Sequence, residues 1–304
     1  MALIVTGASG NFGRAAVEGL LKHVPAKELI LVSRDPGKLA RYAQLGAQVR
    51  RGDFDDPASL ATAFVGGHKM LMISAMRVGK RIRPHTNAIE AAVKAGVQHI
   101  VYTSSIGADP SNPSLAVNDH RVTEEVLRAS GIAWTALRDS QYTDAVVEAA
   151  APIAIATGRW VSSSADGKIA PVMRQDCVDC AVAVMAGSGH QNVVYNITGP
   201  ELLSYRDIAG IVAEVSGKPV EYRSVSDDEM YALFDSMGIP REPVDDHVVG
   251  GVPWCSDDMV SYERSIREGR FAVISDDVHK LAGHAPQSVR TFAQEHRAAL
   301  VTQR

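Results

Sequence analysis

An apolar run, Ala2-Leu3-Ile4-Val5, leads straight into Thr6-Gly7-Ala8-Ser9-Gly10-Asn11-Phe12-Gly13, with glycines at the first, fourth and seventh positions of the motif counted from Gly7. Glycines at this spacing constrain a chain more than its composition does. Gly7 permits a tight turn out of a strand, Gly10 lets the backbone approach a pyrophosphate, and Gly13 lets the next helix pack closely on the strand. The helix start adds free N–H groups and the positive end of a dipole. A plain strand-to-helix turn rarely needs three glycines. The backbone of Gly7, Ala8, Ser9, Gly10, Asn11, Phe12 and Gly13 is therefore expected to hold the phosphates of a dinucleotide.

The strand–helix alternation continues. Ala2–Val5, Glu28–Ser33, Gln48–Arg51, Lys69–Ile73, Gln98–Thr103 and Ala133–Arg138 read as strands. Between them Phe12–His23, Pro36–Leu45, Pro57–Phe64, Pro84–Ala95 and Asp119–Ser130 read as helices. Pro36, Pro57 and Pro84 fall in first turns, which tolerate proline, and Gly46, Gly96 and Gly131 follow helix ends. Alternation with nearly continuous apolar strands requires a parallel sheet covered on both faces. Right-handed crossovers then wind it into an α/β, Rossmann-type doubly wound fold.

Residues 1–138 are assigned to that dinucleotide-binding domain. Beyond Arg138 the rhythm loosens. Asp176–Met185, Ser204–Ser216 (with Ser204 as N-cap), Asp227–Met237, Met259–Glu268 and Gln287–Leu300 read as helices, around a loop rich in Gly, Pro and Asp from Gly238 to Asp258. Residues 139–304 are expected to form mainly a smaller, mixed substrate-binding lobe over the sheet's carboxyl edge, with 193–198 returning to the sheet.

Composition excludes other classes. Lys+Arg number 31 against 35 Asp+Glu, a net charge of -4 without a basic block, which argues against nucleic-acid binding. No apolar run approaches the roughly 20 residues of a membrane span. The start lacks a basic n-region, and three cysteines are too few and odd in number for a disulfide framework, so a cytoplasmic location is expected. Cys177 and Cys180 form a C-x-x-C without a second Cys/His pair at zinc spacing, and read as small apolar residues of one helix face; no metal site is expected.

The residue ending the second strand selects the dinucleotide. An acidic group there would hold a ribose hydroxyl and repel a 2′-phosphate. Here the strand ends Val32-Ser33-Arg34, and a guanidinium beside a hydroxyl suits a phosphate, so NADP(H) is expected over NAD(H). Asp35 follows one residue later. Asp53, after the third strand, is placed to accept from the adenine amino group with Phe54 beside the ring; its rival role, capping the helix at Pro57, suits Asp55 or Asp56 better.

These motifs, with Arg51-Gly52-Asp53, Ile73-Ser74, the stretch from Ala95 to Ser104, Leu137-Arg138-Asp139-Ser140-Gln141-Tyr142 and Tyr195-Asn196-Ile197-Thr198-Gly199, resemble the NmrA-like branch of the atypical short-chain dehydrogenase/reductases. Within it the pattern is similar to bacterial NADPH-dependent quinone reductases and triphenylmethane reductases. The resemblance implies an NADP(H)-binding reductase with a small C-terminal lobe. It places Ser74, Ala75 and Met76 along the cofactor near the nicotinamide ribose, and Ser140 to Tyr142 near the nicotinamide. More distant relatives include pinoresinol and isoflavone reductases, and NmrA itself, which senses dinucleotides without known turnover.

Dehydrogenases of this superfamily usually carry Tyr-x-x-x-Lys, and none of tyrosines 42, 102, 142, 195, 205, 222, 231 and 262 has a lysine four residues on. By spacing, Ala116 falls where the tyrosine would sit and His120 where the lysine would. That argues against routine alcohol–ketone chemistry, which needs a positioned acid. Hydride delivery to a quinone or similar conjugated aromatic compound spreads the developing charge and needs less help. His120 is the candidate helper acid or ribose contact, against the alternative of a capping histidine. Tyr142 is a candidate pocket wall or hydrogen-bond donor, against a packed loop tyrosine. Ser104 and Ser105 reach the same edge. Met76, Tyr142, Trp160, Tyr231, Phe234 and Trp254 are candidates for a flat pocket, each with ordinary core packing as the alternative. Three functions stand: quinone reductase, reductase of aryl ethers or triarylmethane dyes, and non-catalytic NADP(H) sensor. A monomer or homodimer is expected.

Overall fold

The computed structural model describes residues 1–244 and 255–302. Seven strands, β1 (Leu3–Val5), β2 (Leu29–Ser33), β3 (Gln48–Arg51), β4 (Lys69–Met72), β5 (His99–Ser105), β6 (Ala133–Asp139) and β8 (Val193–Ile197), form one parallel sheet ordered β3-β2-β1-β4-β5-β6-β8. The order reverses between β1 and β4, and the crevice beyond the carboxyl ends there is where doubly wound sheets take ligands.

The central strands are apolar at most positions because both faces are covered, with Lys69 and His99 at the starts of β4 and β5 as polar exceptions. Leu3, Val5, Leu29, Leu31, Leu71 and Val101 point to one face, under α1 (Asn11–Leu20), α2 (Ala40–Gln44) and α7 (Arg174–Ala186). Ile4, Ile30, Val32, Met70, Ile100 and Tyr102 point to the other, under α3 (Pro57–Ala63), α4 (Ile82–Lys94) and α5 (Leu115–Ala129). This is the period-two alternation of a strand, with an apolar residue at either phase. Cys177 and Cys180 lie buried in the first of these layers. Gly19 allows α1 and α7 to touch there, since a Cβ on it would stand 2.6 Å from Val182.

A second cluster gathers Trp160, Tyr205 and Phe271 among α6 (Thr143–Thr157), α8 (Tyr205–Ser216), α12 (Val289–Glu295) and α13 (Arg297–Thr302). A two-stranded parallel pair, β7 (Arg159–Ser162) with β9 (Glu221–Ser224), borders it. Met230, Phe234, Ile239 and Val260 make a small core between α9 (Asp227–Ser236) and α10 (Ser256–Arg267). The chain crosses between the lobes repeatedly: β8 pairs with β6, while α7 and α11 (Asp277–Ala282) pack beside the sheet.

Several expectations need correction. α5 starts at Leu115 rather than Asp119, because Ser114 accepts from the Val117 N–H and caps an apolar first turn. The helix expected over Gln287–Leu300 is two, broken at His296, whose ring stacks on Phe292 at 4.0 Å. α6 was not expected: its alanine-rich sequence is apolar nearly all round and carries Pro152 inside, so it lacks a helical stripe.

Candidate functional site

The glycine turn has the shape its sequence demands. Gly7 sits at φ +60, and Gly10 donates its N–H to the Gly7 carbonyl at 2.9 Å. A Cβ on Gly13 would lie 2.3 Å from that carbonyl oxygen, so only hydrogen fits. A Cβ on Gly10 would meet nothing nearer than 3.4 Å. The room needed by an approaching phosphate is on that side. No side chain caps α1, and its first N–H groups remain available to an anion. The side chains of the turn act differently from its backbone. Ser9 hydrogen-bonds Ser33 at 2.8 Å, tying the turn to β2, while Ala8 and Phe12 are buried.

Beyond β2, Arg34 is exposed, and none of its contacts with the described residues is a hydrogen bond or ion pair. Asp35 is occupied: its carboxylate accepts from Gly37 N–H at 3.1 Å and caps the short 3-10 turn Pro36–Leu39. The charge that would repel a phosphate is thereby committed to the turn. Asp53 accepts from the Asp55 N–H, and Asp56 caps α3. Phe54 meets the edge of His85 with ring centres 6.3 Å apart.

Past β4, the backbone is held by a buried polar chain. Ser74 N–H donates to Thr103 Oγ1 and Ala75 N–H to His85 Nε2, both at 2.9 Å. His85 must then carry its proton on Nδ1, 2.9 Å from Thr123 Oγ1, whose hydroxyl donates onward to the Asp119 carbonyl. Arg81 can only donate, so His120 Nε2 accepts from it at 3.1 Å, leaving the Nδ1 proton for the Tyr102 oxygen at 2.8 Å. Both imidazoles are neutral. Burial, reinforced by the Arg81 charge, takes His85 down to about 3 and drives His120 well below the ordinary histidine range. Burial likewise pushes Tyr102 far up.

His120 is thus a fully engaged buried side chain and no open acid. Arg81, His85 and Tyr102 escaped the sequence reading; the available signal was His85 and Tyr102, polar rings at positions that face the core. Met76 stands exposed at 57% beside this chain, its carbonyl accepting from Arg81 at 3.2 Å.

At the end of β6, buried polar atoms are short of partners. Asp139 Oδ1, Ser140 Oγ, Gln141 Oε1 and Thr143 Oγ1 are all enclosed and make no hydrogen bond. Each such group costs about 1–3 kcal/mol, so a run of them at a sheet's carboxyl edge fits a polar ligand group that supplies the missing bonds. Tyr142 does not open onto this space. Its hydroxyl donates to Asp139 Oδ2 at 2.9 Å, and the Arg174 guanidinium lies 5.3 Å from its ring centre. Burial drives the phenol far above its usual range, away from acid chemistry. Ser104 is also engaged, donating to Glu124, which holds Arg138 and Arg128.

The aromatic pocket expected from sequence is not brought together. Trp160 is 5% exposed and packs 5.9 Å from Tyr205, and Phe234 is equally buried between α9 and α10. Both are core side chains. Tyr231 lies under Arg241, 4.1 Å from ring centre to guanidinium, and Trp254 lies outside the described residues. Of those named that lie among the described residues, Met76 alone combines exposure with a place on the carboxyl side of the sheet.

A doubly wound sheet with an uncapped glycine turn at its switch point defines a dinucleotide-binding Rossmann protein. Residues 7–186 match the family model for NAD(P)H-binding proteins, and the chain belongs to that family. It is 37% identical to quinone oxidoreductase 2 of Escherichia coli (strain K12) over 238 residues, 78% of this chain and 82% of the relative. The crystal structure of an NADPH-dependent quinone oxidoreductase from Escherichia coli, complexed with NADPH, superposes with a TM-score of 0.87 at 32% identity, covering 96% of this chain and 99% of that one. The Citrobacter sp. triphenylmethane reductase complexed with NADP(H) gives 0.83 at 30% identity, covering 97% and 99%. Among the described residues, no helix is long and apolar enough to cross a membrane.

Proposed function

We propose that this oxidoreductase passes hydride from NADPH to a quinone or similar conjugated aromatic compound, in the cytoplasm. The observation that carries the reading is that both expected acids are committed to buried bonds, His120 between Arg81 and Tyr102, and Tyr142 on Asp139. A carbonyl substrate needs a positioned proton donor; a quinone spreads the developing charge and takes its proton from water. Three free cysteines accord with a reducing compartment.

NADPH, when bound, supplies the hydride. The chain's own groups do the rest. The backbone from Gly7 to Gly13 takes the pyrophosphate, Arg34 the 2′-phosphate and Asp53 the adenine amino group. Ser74, Ala75 and Met76 lie along the nicotinamide ribose, with the unpartnered atoms around Ser140 receiving the carboxamide. Met76 offers an apolar wall to a flat substrate.

NADPH oxidation followed at 340 nm against menadione and other quinones tests the reading. Turnover with quinones and not with simple ketones supports it. A second reading, reduction of triarylmethane dyes, is favoured by the fit to the Citrobacter enzyme and is tested with a cationic dye in the same assay. Tight NADPH binding without oxidation of any acceptor would instead make the chain a sensor.

A further inference from the structure

We propose that Arg81 is the cation that receives the negative charge developing on a quinone oxygen during reduction. The proposal rests on the quinone reading above. Arg81 is half-buried immediately before α4, and two side-on contacts hold its guanidinium plane: Nη1 donates to His120 Nε2 and Nη2 to the Met76 carbonyl. The turn leading to it is held as well, since the Asp119 carboxylate accepts the Gly79 N–H at 2.6 Å. Met76 is exposed in the segment that follows β4, four residues past the strand's last residue, so the guanidinium stands on the carboxyl side of the sheet, beside a side chain open to ligand.

Among the described residues no carboxylate forms an ion pair with Arg81. The two acids whose charges act on it, Asp119 and Asp258, are both pushed up by burial, Asp258 to about 6, so that Asp258 is still mostly ionised at neutral pH and acts on the guanidinium without pairing with it. The neutral rings of His85 and His120 add no competing cation. The guanidinium carries more N–H donors than its two anchors use. His120, at the spacing where a lysine is usual, therefore acts as a positioning residue: it supplies the lone pair that fixes the arginine.

The chemistry balances. A neutral quinone gains a hydride from the dihydronicotinamide, which is thereby oxidised, and becomes a hydroquinone monoanion. One proton from water completes the hydroquinone. Negative charge on oxygen exists only between these events, and a preorganised cation in a partly desolvated site stabilises that interval.

The test measures probe binding to the NADP⁺-loaded enzyme and turnover with NADPH, using two probes. Menadione is neutral; lawsone is ionised at neutral pH and resembles the monoanion. Arg81→Gln is expected to lower the selectivity for lawsone over menadione by about 10-fold or more, the worth of a charged hydrogen bond. Its kcat with menadione should fall about 10²-fold while KM changes little, as on removing an oxyanion donor. Arg81→Lys, which keeps the charge, should recover part of both effects. Should the glutamine variant not fold, Arg81→Met is read in the same way. Equal loss for both probes, or a change in KM alone, would overturn the assignment. A wild type that binds the lawsone anion through Arg81 but reduces no quinone would overturn the quinone reading instead, leaving the anion site standing.

Discussion

Asp139 and Tyr142 form a buried pair in which the phenol donates to the carboxyl at 2.9 Å. Asp139 ends β6 only 6% exposed, and Cys177 is its other near neighbour. Desolvation outweighs both hydrogen-bond partners and raises the Asp139 carboxyl from 3.8 to about 7. The pair is therefore held as neutral acid and neutral phenol through the mildly acidic range.

That shift has a sign in stability. The native chain binds one more proton than the unfolded chain between 3.8 and about 7, so the benefit is complete below that window and lost as pH rises through it. Asp139→Asn mimics the neutral acid at every pH. In urea titrations of the cofactor-free protein, the variant should gain on wild type by about 2–3 kcal/mol between mildly acidic and mildly alkaline pH, at about 1.4 kcal/mol per unit. A difference that does not change with pH would show that Asp139 keeps one charge state throughout.

Among the described residues Arg34 makes no hydrogen bond or ion pair, while Asp35 accepts the Gly37 N–H. Replacing Arg34 with Ala should weaken NADPH binding by about 1.5–3 kcal/mol and leave NADH nearly untouched. Calorimetric titration with each cofactor reads this directly. Equal losses, or a wild type that prefers NADH, would contradict it.

Gly10 and Gly13 should fail differently. Gly10 has space for a side chain, so Gly10→Val should fold yet lose dinucleotide binding, because the valine occupies the phosphate's approach. Gly13→Ala drives a methyl against the Gly7 carbonyl, and should distort the turn and lower the melting temperature as well. Circular dichroism melts beside cofactor titrations separate the two. A Gly10→Val protein with unchanged affinity would put the phosphates elsewhere.

Neither expected acid should prove indispensable. A dedicated general acid contributes about 10²–10⁴-fold, whereas His120→Ala and Tyr142→Phe should each lower the saturated rate by less than about 10²-fold. Deuterated NADPH must still give a primary isotope effect, since slow product release would hide an acid. A loss of about 10³-fold or more in either variant, with cofactor binding intact, would mark a proton donor and move carbonyl reduction ahead of quinone reduction.

Local pattern alone determined the Rossmann sheet and the glycine turn that leads from β1 into α1. Apolar runs ending in glycine, proline in first turns and Ser204 before its helix record hydrogen bonds and burial within one element, and these lie close in sequence. The readings that failed depend on contacts between elements. Trp160 and Phe234 look like pocket aromatics until the helices around them are assembled, and β9 is too exposed to carry an apolar alternation. Lys69 sits buried in β4 because its ammonium caps the carboxyl end of α7, donating to the carbonyls of Val184 and Gly187. The chain from Ala75 through His85, Tyr102 and His120 to Arg81 joins α4, β5, α5 and the turn before α4. No spacing in the sequence predicts it, because the partners meet only once the sheet order sets β4 beside β5 and lays α4 and α5 on the same face. Which polar side chains are free to meet a ligand was thus decided by tertiary packing: a buried donor or acceptor must find a partner, and the fold determines which partners are in reach.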